Sequence, residues 1–239
     1  MSTHLRIATW NIDRVRARSM KRPLILQQIA AVNADVWVLT ESRASVDLRE
    51  IDTIYQPYPT PHDPRFHTTD ESWVSIWSRL PVHQQSFETW NPVFGRCVEI
   101  AVGGMRVRIY GAMITWANDP GSGPRARKWH EHITAIREFH ADWERLGAQH
   151  LMVVAGDFNE TLKGPTRYGT PNGRKGLTAA IGQGRMTCVT DHIDGNIDHI
   201  CIPAAWRDYM SGTQCWHVYS HIGKPVSDHY GLSVDVQLP

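Results

Sequence analysis

The sequence lacks the features that mark membrane-spanning, exported and disulfide-rich proteins. Its 239 residues contain no run near the ~20 consecutive apolar residues that a spanning helix needs, and no charged-then-apolar leader precedes the first alternating segment. The four cysteines, Cys97, Cys188, Cys201 and Cys215, are far apart and include no C-x-x-C pair, which disfavours both a zinc site and a dense disulfide framework. We therefore expect a cytoplasmic protein whose thiols are reduced and buried.

Strong net charge and internal repeats are also missing. The formal charge of +1 is too small to indicate a nucleic-acid-binding protein by itself. Basic residues nevertheless cluster in three segments, 14–22, 125–128 and 163–185, although such runs are commonly solvated surface. The length and the 41% hydrophobic content suffice for one domain over 1–239, which we expect to act as a monomer.

The hydrophobic pattern of the first half predicts mostly strands. Residues 5–12 alternate apolar and polar, a helix is predicted from Pro23 to Val32, and 35–41 is a near-continuous apolar run typical of an interior strand. The proline-rich segment 55–70 predicts a long irregular loop. Strand composition then recurs, with a hairpin predicted at Gly103-Gly104, over 73–78, 82–88, 96–102 and 105–114.

The second half predicts one more long helix followed by strands. Pro124 opens this helix and Gly147 caps it, and its apolar stripe consists of Trp129, Ile133, Ile136, Phe139, Trp143 and Leu146. A strand over 150–156, a Gly- and Pro-rich loop over 164–176, and strands near 196–202, 214–219 and 230–237 follow. This mixture predicts two sheets packed face to face with helices outside.

Short polar strings lie at the ends of the predicted strands. They are T-W-N with Asn11, L-T-E with Glu41, G-D-F-N at 156–159, S-D-H at 227–229, and N-I-D-H-I, which places Asp198 within a strand. Side chains at strand ends reach solvent while their backbone is held, as a preorganised site requires. Each string alone has an ordinary interpretation as a turn, a cap or a surface pair. The ordered set is what indicates a site.

In this order the strings resemble the endonuclease/exonuclease/phosphatase superfamily, which includes deoxyribonuclease I-like enzymes, apurinic endonucleases, sphingomyelinases and inositol polyphosphate phosphatases. The segment W-V-S-I-W-S-R-L-P and the pair Gly95-Arg96 match the same pattern, so the resemblance spans nearly the whole chain. It implies an α/β fold, a four-layer α/β sandwich of two packed mixed β-sheets flanked by helices. It also implies a phosphoester hydrolase that depends on Mg²⁺ or Mn²⁺.

Metal and phosphate ligands follow from the resemblance residue by residue. Glu41 would bind the metal directly, while Asn11 and Asp228 would bind or orient it, and Asn159 would hold the phosphate. This shell is all oxygen, so a hard cation such as Mg²⁺ or Mn²⁺ fits better than zinc.

Three further residues are implied to carry the chemistry. Asp157 would position or deprotonate the attacking water, and His229 would hydrogen-bond the phosphoryl oxygen or act as a base. Asp198 would orient the imidazole. A carboxylate beside a histidine fixes its tautomer and favours its cationic form, which is useful where negative charge develops.

The chain departs from the family pattern at Trp116, which lies in M-I-T-W-A-N-D where many members carry a histidine on the leaving-group side. An indole cannot protonate an alkoxide, so either the leaving group has a low pKa, another residue donates the proton, or activity is reduced. Asn118, Asp119 or Tyr110 could serve instead, and the spacing does not choose among them. Trp116 itself either packs in the core or stacks on a base or another flat group.

Substrate contacts are predicted from the basic segments, each of which begins just beyond a strand expected to end at the site. Arg14, Arg16 and Arg18 are interpreted as a positive rim for an anionic substrate, and Arg96 is assigned to substrate binding by its match to the family. A phosphodiester, with nucleic acid first, is the expected substrate. A phosphomonoesterase acting on a small molecule or lipid headgroup and a catalytically silent anion-binding module stay open, whereas no G-x-S-x-G string supports a serine hydrolase.

Overall fold

Twelve strands and three α-helices make up the part of the chain that this computed structural model describes, residues 4–65, 68–119, 121 and 127–238. In chain order they are β1 (His4–Asn11), α1 (Lys21–Val32), β2 (Val36–Arg43), β3 (Gln56–Pro59), β4 (Glu71–Ser78), β5 (Val82–Gln84), β6 (Gly95–Val102), β7 (Met105–Met113), α2 (His130–Gly147), β8 (Leu151–Asp157), α3 (Pro171–Gln183), β9 (Met186–Cys188), β10 (Asp198–Pro203), β11 (Met210–Trp216) and β12 (Gly231–Gln237). Short 3₁₀ helices cover Leu48–Glu50 and Ala204–Tyr209. Within these ranges, every helix is too short or too polar to cross a membrane.

The strands form two six-stranded mixed sheets with the orders β11-β12-β1-β2-β4-β3 and β5-β6-β7-β8-β10-β9. Each sheet contains one parallel pair among its described strands, β1 with β2 and β7 with β8, and the two strands of each pair are joined through a helix. The carboxyl ends of two parallel neighbours lie at the same edge of their sheet. The residues that follow these four strands are therefore gathered at corresponding ends of the two sheets.

Two apolar clusters hold the layers together. The larger one lies between the sheets and beneath α2 and α3, and it includes Ile7 of β1 and Ile109 of β7. The smaller one packs Ile29 of α1 against Trp10 of β1 on the other face of the first sheet. Because successive side chains of a strand point to opposite faces, β1 is buried on both. The predicted four-layer α/β sandwich is confirmed.

The predicted irregular loop over 55–70 contains a strand that the sequence analysis missed. β3 pairs with β4 at the edge of the first sheet and includes Pro57 and Pro59. Proline donates no backbone hydrogen bond, so it is tolerated in an edge strand, which has a partner on one side alone. The prediction of a loop over 56–59 was wrong because prolines disfavour a strand inside a sheet but not at its edge.

The predicted loop over 164–176 was wrong from Pro171 onwards, where α3 begins. Thr170 Oγ1 accepts a hydrogen bond from Gly173 N at 2.9 Å, and proline suits the first position of a helix. Packing explains the glycines that argued against a helix, since a Cβ on Gly173 would lie 2.4 Å from Glu160 Oε2. The next strand, β9, was also not predicted.

The ends of the other helices differ from the prediction as well. α1 begins at Lys21, so Pro23 is its third residue, where the backbone N–H has no acceptor within the helix. α2 begins at His130 and includes Gly147, while Pro124 lies outside the described residues. Trp129 precedes the helix with φ 69°, so it is not part of the helix's apolar stripe as predicted. The fully buried members of that stripe are Ile136, Phe139, Trp143 and Leu146.

The close approach of β8 to β7 generates a prediction about stability. Gly156 has φ 139°, and a Cβ there would lie 2.0 Å from the carbonyl oxygen of Ala112. We expect Gly156→Ala to lower the free energy of unfolding by at least ~2 kcal/mol, as measured by urea denaturation. Gly182→Ala is the control, because nothing lies within 4 Å of its added Cβ. Equal stability of the two variants would contradict the close approach.

Candidate active site

The carboxyl end of β1 meets the second sheet at one edge of the sandwich. Asp157 ends β8, and Asp198, the first residue of β10, stands directly opposite it in the ladder. Asn11, at the end of β1, donates a hydrogen bond from Nδ2 to Asp157 Oδ2 at 3.2 Å. All three side chains are buried. The sandwich thus brings together three of the predicted site residues and joins the sheets through them.

His229 lies against this carboxylate pair. Its Nδ1 is 2.6 Å from Asp198 Oδ2, and the other carboxylate oxygen of Asp198 is buried with no hydrogen-bond partner among the described residues. Ser227 positions the histidine, since its Oγ accepts from His229 N at 3.1 Å and donates to Asn11 O at 2.7 Å. Ligand atoms of Asp157, Asp198 and His229 lie within 4.8 Å of one another, a spacing at which they could hold a metal ion.

The pKa values of Asp157 and His229 are both raised above their ordinary values. Burial, reinforced by the charge of Asp198, raises the pKa of Asp157 to about 7. Burial alone would lower the pKa of His229, but the carboxylates of Asp198 and Asp157 raise it to about 10. At neutral pH His229 is therefore a cation able to donate to an oxyanion. Asp157 titrates near the pH at which a general base works best.

Asn159 follows β8 in a left-handed turn, with φ 49°. Its backbone N–H donates to Asp157 Oδ1 at 2.9 Å, and its Nδ2 donates to Ile114 O at 2.9 Å. The turn is thereby tied to the segment that follows β7. An amide nitrogen carries two hydrogens, so one remains to donate to a ligand.

Beneath this turn lies a buried ion pair that the sequence analysis missed. Glu160 Oε2 is 3.3 Å from His132 Nε2 and accepts from Thr170 N at 2.9 Å, and Arg174 Nη2 lies 3.3 Å from Oε1. His132 Nδ1 lies 2.6 Å from Thr115 O. The Thr115 carbonyl only accepts hydrogen bonds, so Nδ1 of His132 donates to it. The pair connects the segments after β7 and β8 to the starts of α2 and α3.

Glu41 forms the opposite wall, in the first sheet. It has φ 47°, and its Oε2 lies 2.5 Å from Arg14 Nη1. Burial raises the pKa of Glu41, while Arg14 and a hydrogen bond with Asn11 oppose that rise. The Arg14 guanidinium also lies 4.6 Å over the ring of Trp73, which stacks on Trp116 at 5.3 Å. Arg14 and Trp116 are thus brought together beside Glu41, with Trp116 partly exposed.

Two of the predicted site residues do not lie among these side chains. The side chain of Asp228 is 85% exposed, with Oδ1 4.0 Å from His229 Nε2. Arg96 donates to Gln85 O at 3.0 Å, and burial lowers its pKa. Among the contacts of the described residues, none joins Arg96 to Asp157 or His229. The roles given to Asp228 and Arg96 stay predictions.

Burial reduces the number of residues that could donate a proton to the leaving group. Tyr110 lies in the core and donates to Asp142 Oδ2 at 2.7 Å, so it is excluded as a proton donor to the leaving group. Asp119 is buried, and burial raises its pKa. Tyr168 is a further candidate that the sequence did not predict, and it is partly exposed. Burial and the charges of Asp157 and Glu160 raise the pKa of its phenol, which indicates that it lies near the site. Its place in the basic segment after G-D-F-N was the available signal.

The structure is thus an α/β sandwich with a half-buried histidine and buried carboxylates gathered where strands of its two sheets end. The model of the Endonuclease/Exonuclease/phosphatase family matches residues 8–229, so the chain belongs to that family. No curated protein matches the chain in a sequence comparison.

Solved structures of the same fold resemble the chain over nearly its whole length. The 3′ phosphatase NExo from Neisseria, bound to product DNA hairpin, is 14% identical with a TM-score of 0.70, over 97% of this chain and 99% of that one. An AP endonuclease from Archaeoglobus fulgidus is 13% identical with a TM-score of 0.67, over 96% and 98%. A humanized TDP2 from D. rerio is 14% identical with a TM-score of 0.65, over 98% and 99%. Identities this low show the fold alone.

The raised pKa of Asp157 predicts how stability depends on pH. A pKa raised on folding stabilises the protein below the ordinary carboxyl value of ~3.9, and that contribution is lost as pH rises toward 7. Asp157→Asn removes the titration. In EDTA, we expect the Tm of the variant relative to the wild type to increase from pH 4 to pH 8.

Asp194→Asn serves as the control, because hydrogen bonds from Thr166 lower the pKa of the exposed Asp194 carboxyl. Its stabilising contribution is present above the ordinary carboxyl pKa of ~3.9 and is lost only as pH falls below that value, so the Tm difference of this variant should stay nearly constant from pH 4 to pH 8. A difference that is independent of pH for Asp157→Asn would show that the buried carboxyl does not titrate in this range.

Proposed function

We propose that the protein is a divalent-metal-dependent phosphodiesterase in which an activated water attacks phosphorus. The observation that carries the proposal is the 2.6 Å contact between Asp198 and His229 beside Asp157, whose pKa is raised to about 7. Family membership supports a phosphoester hydrolase. A protein that only binds anions gains nothing from adjacent buried carboxylates, which repel an anionic ligand.

The protein groups would divide the reaction between them. Asp157 accepts the proton of the attacking water, because its pKa lies near neutrality. His229 donates from Nε2 to a phosphoryl oxygen as charge develops there, while Asp198 holds Nδ1. Asn159 offers its remaining amide hydrogen to another phosphoryl oxygen.

The residues on the Glu41 wall fit a hard cation. Glu41 is half-buried beside a cationic partner and hydrogen-bonds to Asn11, so oxygen ligands and negative charge are already assembled. Asp228 would complete the shell by turning inward from the surface. Mg²⁺ or Mn²⁺ prefers such donors and, when bound, would supply Lewis-acid stabilisation of charge on the phosphate.

Nucleic acid is the substrate class that we propose first. Arg16 and Arg18 are exposed beside Arg14, and Arg167 is exposed beside Tyr168, so cations and aromatic rings border the site from both sheets. Phosphate contacts from such cations and stacking on such rings suit a polynucleotide. Two solved relatives are named for activities on nucleic acid, an AP endonuclease and a 3′ phosphatase bound to DNA. Action as a monomer in the cytoplasm stays a prediction.

The Arg14–Glu41 contact predicts competition between arginine and metal. We expect Arg14→Gln to bind Mn²⁺ several-fold more tightly than the wild type, because Glu41 loses its cationic partner and the metal loses a like charge. Isothermal titration measures the affinity without any substrate. Arg18→Gln removes the same charge from an exposed position of the same segment and should change the affinity far less. Identical affinities in both variants would argue against metal binding at Glu41.

The proposed activity is tested with a substrate panel in Mg²⁺ or Mn²⁺. Bis(p-nitrophenyl) phosphate, p-nitrophenyl phosphate, plasmid DNA, single-stranded RNA and sphingomyelin distinguish diester, monoester, nucleic-acid and lipid substrates. We expect cleavage of the diester and of DNA, loss of it in EDTA, and a kcat about 10²–10⁴-fold lower for His229→Ala.

His221→Ala is the matched control, since His221 is an exposed histidine in the same β11–β12 connection and should retain full activity. Preference for the monoester would favour the phosphatase alternative. Metal binding without turnover on any substrate would favour the silent module.

A further inference from the structure

Two free cysteines face each other outside the candidate active site. Cys188 of β9 and Cys201 of β10 are direct partners in the antiparallel ladder. The neighbouring residues Val189 and Ile200 are joined by a backbone hydrogen bond of 3.0 Å, so the cysteines form the alternate, non-hydrogen-bonded pair. The Cα atoms of such a pair are about 4.5 Å apart. That separation lies within the ~4.4–6.8 Å range of disulfides.

His199 is placed to activate one of the two thiols. Its Nε2 lies 2.9 Å from Glu160 O, and because a carbonyl only accepts, Nε2 carries a proton. Nδ1 of the neutral ring lies 3.6 Å from Cys188 Sγ, so it can accept the thiol proton and leave a thiolate beside an imidazolium. Burial raises the pKa of Cys188, yet the contacts with Cys201 and His199 lower it well below the usual thiol range. The thiolate is the reactive form of cysteine.

Exposure separates the roles of the two sulfur atoms. β9 is the edge strand of its sheet and Cys188 is partly exposed, whereas Cys201 is fully buried. Oxidant from solvent therefore meets Cys188 first. The other two cysteines lack this arrangement, since burial raises the pKa of both Cys97 and Cys215.

We propose that Cys188 and Cys201 form a peroxide-reactive site that closes to a disulfide. The Cys188 thiolate attacks one oxygen of hydrogen peroxide, the O–O bond breaks, and the products are a sulfenic acid and, after protonation of the leaving hydroxide, water. Cys201 then attacks the sulfenyl sulfur, forming the S–S bond and releasing the hydroxyl group as a second water. Two thiols lose two electrons and two protons, and the peroxide is reduced to two waters.

The sequence makes the product simple to detect. Arg185 and Arg207 bracket both cysteines, and no Lys or Arg lies between, so trypsin leaves them in one peptide. Full-length protein is treated with hydrogen peroxide, blocked with N-ethylmaleimide and digested without reductant. We expect this peptide to lose about 2 Da and to lack the maleimide label, as a disulfide requires, and dithiothreitol to reverse both changes.

Two variants and an internal control complete the test. In Cys201→Ser the reaction should stop at a sulfenic acid on Cys188 that dimedone captures, while Cys215→Ser should behave as the wild type. Within the wild-type protein, we expect Cys188 to react roughly tenfold faster than the exposed Cys215, as its thiolate character implies. Oxidation of Cys215 before Cys188, or full maleimide labelling of both cysteines after peroxide treatment, would overturn the proposal.

Discussion

The cation of His229 allows two carboxylates to be buried side by side. Asp157 and Asp198 are opposed across β8 and β10, and at an effective dielectric constant of ~20 two charges about 5 Å apart repel by roughly 3 kcal/mol. The imidazolium at 2.6 Å from Asp198 offsets this, because the same expression yields an attraction of about 6 kcal/mol. The attraction is the larger of the two while His229 is charged, and burial, reinforced by the charge of Asp198, raises the pKa of Asp157. The raised pKa that suits Asp157 to the proposed role of a base is thus a by-product of its burial.

The sandwich delivers these groups through its two parallel strand pairs. β1 and β2 carry Asn11 and Glu41 in one sheet, while in the other β7 is followed by Ile114 and β8 ends at Asp157. The hydrogen bond from Asn11 to Asp157 and the contact between His229 and Asp198 then join the two sheets at the site. Below it, the buried pair of His132 and Glu160 fixes the turns from the helix side. The geometry depends on sheet packing more than on any single loop.

Much of this could be predicted from the sequence, because strand ends have a local signature. An alternating or apolar run followed by Asn, Asp or Glu marks Asn11, Glu41 and Asp157 without knowledge of the partner strands. α3, β3 and the Glu160 network could not be found in this way. Gly173 disfavours a helix until the approach of Glu160 is known, and the prolines of β3 disfavour a strand until its edge position is known. Those elements are determined by neighbours that are distant in sequence.

Arg14 and a metal ion would compete for the carboxylate of Glu41. A half-buried carboxylate such as Glu41 is costly unless it is paired, and Arg14 supplies that pairing while also lying over Trp73. A metal ion at Glu41 would take over the neutralising role, which would release the guanidinium toward an incoming phosphate. A cation that stabilises the folded protein without metal would then become a substrate contact when metal is bound. Exchange of this kind would need no movement of the backbone, because the guanidinium of Arg14 lies at the end of a flexible side chain.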